Sequence, residues 1–277
     1  MPNPKNFNIN GQLLSSNPHH HVWNNLGYWA NDNDYGAACQ ALARLHGQAA
    51  QLHAGEHILE LACGYGAAFE LWKKEFNINK ISALEYRPQC VDYIKQQSLA
   101  QLVHISEGRF YPLPKPLSEV EYDAVVCVDA AYHAQSLTQF LAVIASALKT
   151  EGRFAFSTLM LADDYTNYAL TQRMFAQALL RLANINKANV LSHAQIMQLA
   201  QQQQFTDIQI VPLNSVFAGF AQWIEQRATQ LPQYLKLSKD WQKIYLTARW
   251  CKWLVHHHLL RYVLVSGKKS PLPLGEG

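Results

Sequence analysis

The stretch Ile58-Leu59-Glu60-Leu61-Ala62-Cys63-Gly64-Tyr65-Gly66-Ala67-Ala68-Phe69-Glu70-Leu71 restricts what the chain can fold into more than any other. A short apolar run followed by small residues and glycine reads as a buried parallel strand, then a tight turn into a helix. Gly64 and Gly66 can take positive φ and carry no Cβ, so the first turn of that helix can approach a bound molecule closely. A dinucleotide site built this way wants a third glycine where Phe69 stands, which argues against NAD.

The same grammar repeats along the chain. Lys80–Glu85 reads as a second strand, again closed by an acid, and Glu85 lies at about the twenty-residue spacing at which a βαβ nucleotide site places its ribose-binding carboxylate. Leu102–Glu107 reads as the third strand, and Tyr122–Asp129, β-branched and continuous, as a central one. Glu151–Thr158, Phe205–Val211 and Leu259–Lys269 supply the rest. Helical patterns fall between them: Tyr35–His53 with Ala38, Leu42, Leu45 and Ala49 on one face, Ala67–Phe76, a helix entered through Arg87-Pro88, Leu137–Leu148, Tyr165–Ala188 and His193–Gln204. This alternation predicts an α/β fold with a doubly wound, Rossmann-like, mostly parallel sheet of seven strands. Ligands of such sheets sit beyond the carboxyl ends of the strands, so Asp129-Ala130-Ala131-Tyr132-His133 faces the place where chemistry occurs.

With 277 residues, 49% hydrophobic and 16% charged, the chain can bury a large core, and one decorated domain fits. The expected divisions are an N-terminal arm and flap over 1–34, a core domain over 35–269 with helical insertions at about 160–190 and 213–257, and a disordered tail over 270–277. A net charge of +3 excludes a broad phosphate-tracking surface, so no nucleic-acid partner is expected. Five scattered cysteines without a C-x-x-C pair fit neither a disulfide framework nor a zinc site and point to a reduced, cytoplasmic setting. No signal peptide or spanning segment is read. The three-His runs at 19–21 and 256–258 point in different directions on a helix, and no metal site is expected.

Glu60 with Gly64 and Gly66 four and six positions on resembles motif I of the class I S-adenosylmethionine-dependent methyltransferases, with Ala62 in place of the first glycine. The likeness covers roughly Tyr35–Thr158 and the final strands, and is to the small-molecule, ubiquinone-biosynthesis-like branch. It implies S-adenosyl-L-methionine as cofactor, with Glu60, Ala62, Cys63, Gly64 and Gly66 around its methionine part, Glu85 on the ribose and Tyr86 against adenine. The Gly108-Arg109-Phe110-Tyr111-Pro112-Leu113-Pro114 string resembles the family's adenine loop, except that Arg109 replaces an acid. Arginine accepts no hydrogen bond, which leaves Glu107, backbone or stacking by Phe110 for the adenine. The loop after the fourth strand implies contact of Asp129 with the donor and makes His133 the candidate general base. The Asn25-Leu26-Gly27-Tyr28-Trp29 string resembles a segment that closes one side of the site, making Tyr28 a candidate acceptor contact. In this family the final strand enters antiparallel.

The insertions are expected to cap the acceptor. Phe217–His257 gathers Trp223, Trp241, Trp250 and Trp253, and across Arg227–Arg261 seven cations (Arg227, Lys236, Lys239, Lys243, Arg249, Lys252 and Arg261) face Asp240 alone. Such a segment reads as a core-packed lid, a site for an anionic acceptor, or a membrane-surface contact through 236–261. The expected partner is a small-molecule acceptor, hydrophobic or anionic, methylated on O, N or C. Three alternatives stand beside it: a peripheral lipid or quinone methyltransferase, a non-catalytic S-adenosylmethionine-binding scaffold, and an aminopropyltransferase, whose expected acidic cluster is not evident.

Overall fold

In the computed structural model, which describes residues 10–15, 23–30, 34–97 and 103–271, seven strands form one sheet. They are β1 (His57–Leu61), β2 (Lys80–Glu85), β3 (Val103–Glu107), β4 (Tyr122–Cys127), β5 (Leu148–Leu161), β6 (Phe205–Pro212) and β7 (Leu260–Lys269). Their spatial order is β3-β2-β1-β4-β5-β7-β6. The first five pair in parallel, while β7 runs antiparallel between β5 and β6. The chain reverses direction across the sheet between β1 and β4, which is where open α/β sheets bind ligands.

Helices cover both faces. They are α1 (Tyr35–Ala49), α2 (Phe69–Phe76), α3 (Pro88–Lys95), α4 (Lys115–Ser118), α5 (Leu137–Ala147), α6 (Leu170–Leu182), α7 (His193–Gln202), α8 (Ser215–Gln230), α9 (Gln233–Lys236) and α10 (Lys239–His257). Two apolar clusters result. One joins α1, α2, α8 and α10 to a face of the sheet through residues such as Leu42, Trp72, Phe220 and Trp241, and the other joins α5 and α7 through Phe140, Phe154, Phe156 and Ile196. Strands buried on both sides explain the nearly unbroken apolar runs of β1 and β4.

Three element readings change. The fifth strand extends from Leu148 to Leu161, beyond 151–158, because β7 pairs with it from Arg153 to Leu161 and so keeps its outer half extended. The helix after the glycine turn begins at Phe69 instead of Ala67. The 165–188 segment is α6 bracketed by single 3-10 turns at Tyr165–Asn167 and Lys187–Asn189. The first His run and the tail beyond residue 271 lie outside the described residues. No helix among the described residues is long and apolar enough to cross a membrane.

The segment 23–30 is tied down by distant partners. Tyr35 Oη donates to the carbonyl of Asn25 at 2.8 Å, and Leu26 N–H donates to Asp129 Oδ2 at 2.7 Å. Trp29 N–H donates to Ser215 Oγ at 3.2 Å. The indole of Trp29 lies on α8 at Gly219, where a Cβ would stand 2.0 Å from the ring, so that helix must present glycine for the segment to seat.

Candidate active site

A cavity of about 1020 Å³ opens beyond the carboxyl ends of β1, β2 and β4. Its floor is the glycine turn. Ala62 holds φ +57 and Gly64 φ +62. The first value shows why glycine is the commoner residue in this motif: an L side chain in the left-handed region costs about 1–2 kcal/mol. A Cβ on Gly64 would point between Arg87 Nη2 at 3.4 Å and Asn24 Oδ1 at 3.7 Å, so the bare backbone there leaves room on the cavity side. Gly66 serves a different end from the one expected. It does not line the cavity, and its missing Cβ admits the ring of Phe69, whose nearest atom would lie 2.4 Å away. Phe69 thus occupies the place of a third glycine, and Gly66 makes room for it.

Glu85, buried at the end of β2, organises the turn. Its Oε2 accepts from Gly64 N–H at 2.7 Å, and its Oε1 accepts from the N–H groups of Tyr86 and Arg87, both at 3.0 Å. The Arg87 guanidinium closes on the same carboxylate, with Nε 2.9 Å from Oε1. Burial by itself would lower the pKa of Arg87, but the Glu85 carboxylate reverses this and raises it. Arg87 was not anticipated as a site residue. It pairs with the Glu85 carboxylate and lies over the ring of Tyr65.

Glu60 lies deeper, with Trp72 Nε1 donating to its Oε2 at 2.6 Å. Burial pushes this carboxyl up to about 8, with Trp72 pulling the other way and Glu85 adding to the rise. The native state therefore keeps a proton that the unfolded chain gives up near 4.5, and unfolding free energy falls as pH rises from about 4.5 to about 8. Glu60→Gln, which keeps the acceptor for Trp72 but cannot ionise, is expected to flatten that slope and raise stability at neutral pH. Urea denaturation at a series of pH values checks it, and equal slopes in both proteins would refute it.

Leu84, Tyr86 and Phe110 wall the part of the cavity beyond β2. Arg109 lies over the Tyr86 ring at 5.1 Å and donates to its hydroxyl at 3.1 Å, so the residue that replaces the family's acid braces an aromatic wall. Glu107 does not line the cavity. Phe110 packs edge-on against Phe140, their centroids 5.1 Å apart. Cys63 lines the turn with its thiol pKa raised by burial.

The loop after β4 brings in Asp129, Tyr132 and His133. Asp129 holds φ +58 and accepts three hydrogen bonds: from Leu26 N–H, Tyr132 Oη and Tyr262 Oη, each at 2.7 Å. Burial pushes its carboxyl up to about 6. It borders the cavity, yet its oxygens are engaged by protein donors, which makes it a joint between the flap, the loop and β7. His133 lines the cavity beside Tyr132, with Nδ1 3.5 Å from the Asn184 carbonyl, and burial lowers its pKa to about 4. The ring is neutral at cellular pH. Asn189, at the end of the first insertion, accepts from Leu137 N–H and donates to the carbonyls of Tyr132 and Ala134, so the insertion sets this loop.

Tyr28 does not line the cavity: its N–H donates to the Ala38 carbonyl at 2.8 Å and its side chain packs on the core. Trp23, Asn24, Asn25 and Leu26 take the place expected for it. Beyond His133 the cavity continues between the insertions, past Leu159, Leu179, Phe217 and Trp250, to Arg181 and Lys243. These residues come from segments distant in sequence and had no local signal.

The sheet order and the ligand-facing turn after β1 define a Rossmann-like α/β protein of the methyltransferase type. Residues 59–156 match the model of the methyltransferase domain family. Over 122 residues the chain is 29% identical to the sterol 24-C-methyltransferase ERG6B of Gibberella zeae, covering 43% of this chain and 32% of that protein. The chain thus spans about a third of the length of that relative. The cyclopropane synthase MmaA2 from Mycobacterium tuberculosis superposes with a TM-score of 0.75 at 12% identity, covering 97% of this chain and 99% of that one. Geranyl diphosphate C-methyltransferase from Streptomyces coelicolor A3(2) does so with a TM-score of 0.66 at 12% identity, covering 96% and 98%. The [4+2]-cyclase SpnF gives 0.66 at 17% identity, covering 92% and 88%.

Proposed function

We propose that the protein transfers the methyl group of S-adenosyl-L-methionine to a small-molecule acceptor. The observation that carries this reading is one cavity shared by the glycine turn after β1, the Glu85 carboxylate after β2 and His133 after β4. The residues fit the cofactor: Gly64 leaves room beside the turn, Glu85 is a buried carboxylate at the ribose position, and Tyr86 and Phe110 are flat walls for a base. Solved structures of similar fold include a phosphoethanolamine N-methyltransferase 2 from Haemonchus contortus in complex with S-adenosyl-L-methionine. Once bound, the sulfonium supplies an activated methyl group.

The chain's own part is to bind, orient and take a proton. Glu85 would hold the ribose hydroxyls in competition with the Arg87 guanidinium, while the backbone N–H groups of Gly64 and Tyr86 keep the carboxylate aimed. Glu60 would hold the cationic end, where a nearby positive charge would favour its carboxylate form. His133, part-buried and neutral because desolvation lowers its pKa, holds a lone pair that can receive the acceptor's proton. Leu26 and Trp23 cover the site from the flap and keep water from it.

Calorimetric titration with S-adenosyl-L-methionine, S-adenosylhomocysteine and NAD, then a radiolabelled-methyl screen over cell extract, tests the reading. Binding of the first two alone and label in a small molecule support it; NAD binding, or no uptake of the adenosyl ligands, ends it. His133→Ala is expected to lower kcat by about 10²–10⁴-fold with cofactor affinity unchanged. Wild-type kcat is expected to hold down to about pH 5, because a base whose pKa is about 4 is still unprotonated there. A kcat that falls with a pKa near the ordinary histidine value would remove His133 from that role.

A further inference from the structure

The far end of the cavity is open. Arg181 and Leu182 at the end of α6, and Lys243 and Leu246 on α10, line it and are also exposed. The two helices flank one mouth. Phe175 of α6 packs edge-on against Trp253 of α10 at 4.9 Å between centroids, and about two turns along each helix stand Leu182 and Leu246.

The surface around this mouth is apolar without a folding reason. Leu170, Met174, Leu182, Tyr234 and Leu237 are 60–72% exposed, and all belong to α6, α9 or the residue after α9. Single exposed apolar residues are ordinary, whereas a group of them on neighbouring elements marks a contact surface. The charge on the same helices has one sign. Arg173, Arg181, Lys236, Lys239, Lys243, Arg249 and Lys252 face Asp240 as the single acid of α6, α9 and α10. Asp240 accepts from Asn10 N–H, and among the described residues Lys252 is the one of these cations with an ion-pair partner, Glu225 of α8, at 2.6 Å. Apolar side chains interleaved with unopposed lysine and arginine suit an anionic bilayer, where the former enter the acyl boundary and the latter meet headgroup phosphates.

We propose that the face made by α6, α9 and α10 docks on an anionic phospholipid surface, and that the cavity receives its methyl acceptor from that bilayer as an amphiphile with an acidic head. The head meets Arg181 and Lys243, and the apolar part enters the chamber walled by Leu159, Phe217 and Trp250. The acceptor half of this proposal rests on the methyl-transfer reading above; the docking half does not.

Co-sedimentation of the full chain with vesicles of phosphatidylcholine alone, or mixed with phosphatidylglycerol, tests docking. The protein is expected to pellet with the mixed vesicles only, and less as salt rises. Lys239→Glu and Arg249→Glu are each expected to weaken binding by about fivefold or more. Met174→Glu with Leu237→Glu is expected to weaken it at least about tenfold, while calorimetric affinity for S-adenosyl-L-methionine stays at the wild-type value and shows the fold intact. Wild-type protein left in the supernatant, equal binding to both vesicles, or a double variant that pellets like wild type overturns docking. So does a dimer in sedimentation velocity that the double variant dissociates, since the face then belongs to a second copy. Radiolabelled methyl recovered in the organic phase of a lipid extract supports the acceptor class, and label confined to the aqueous phase overturns it. Failure to bind S-adenosyl-L-methionine removes the methyl-transfer reading and leaves the vesicle result to be read separately.

Discussion

Glu85→Ala is expected to weaken binding of S-adenosyl-L-methionine by about 30- to 1000-fold, which is roughly 2–4 kcal/mol. Two charge-assisted hydrogen bonds to ribose hydroxyls are worth about 1.5–3 kcal/mol each, and displacing Arg87 from the carboxylate offsets part of that. The change also removes the acceptor for Gly64, Tyr86 and Arg87 N–H, so the turn itself loosens. Two controls separate these effects. S-adenosylhomocysteine carries the same ribose and is expected to lose affinity equally, whereas Glu60→Gln is expected to weaken the sulfonium more than its uncharged product. Arg87→Met, which leaves Glu85 in place and removes its competitor, is expected to bind the cofactor at least as well as wild type. Titration calorimetry on the three variants decides it. Wild-type affinity in Glu85→Ala would detach this carboxylate from the site.

The parts of the site written in contiguous sequence were legible. Strand, turn and helix around Gly64 follow each other directly, and Glu85 is one βα unit on, so spacing alone places both at the carboxyl edge of the sheet. The sheet was legible for the same reason, since buried parallel strands are apolar throughout. What spacing does not carry is which distant group meets which. Tyr28 was expected in the cavity, but the flap's register is set by Leu26 on Asp129 and by Trp29 on α8, more than a hundred residues away, and this turns Tyr28 to the core. Gly66 looked like a ligand glycine because its need for Phe69 is a packing fact. Asn189, Arg87 and Arg181 gave no signal for a similar reason: an asparagine in a loop, an arginine before proline and a helix-terminal arginine are ordinary until the fold brings the two arginines to the cavity and sets the asparagine against the loop after β4. The tryptophans of the second insertion divide along the same line. Trp223, Trp241 and Trp250 are buried in the core, while the most exposed apolar side chains of α6 and α9 and the residue after it are leucine, methionine and tyrosine.

Asp129→Ala is expected to lower the unfolding free energy by about 3–5 kcal/mol, the largest stability loss of any single change in the site. The carboxylate is the acceptor for Leu26 N–H, Tyr132 Oη and Tyr262 Oη, which come from the 23–30 segment, the loop after β4 and β7. Truncation leaves these donors in a buried setting at about 1–3 kcal/mol each, partly relieved because Tyr262 also donates to Ser157 Oγ at 2.7 Å. Alanine must also hold φ +58, which costs about 1 kcal/mol more. Asp129→Asn tolerates that backbone and keeps one acceptor oxygen, so it is expected to lose about half as much. The pH dependence fixes the cause. Burial raises this acid to about 6 from 3.8, so the native state holds the proton longer than the unfolded chain, and stability falls as pH rises across that window. The Asn variant is expected to lack this slope. Urea denaturation at several pH values gives both quantities, and amide exchange at Leu26 reports the flap directly: freed of its acceptor, that N–H should exchange faster than neighbouring amides of the same segment. An Ala variant within about 0.5 kcal/mol of wild type would mean that the flap, loop and β7 are held together by packing, with Asp129 left for the ligand.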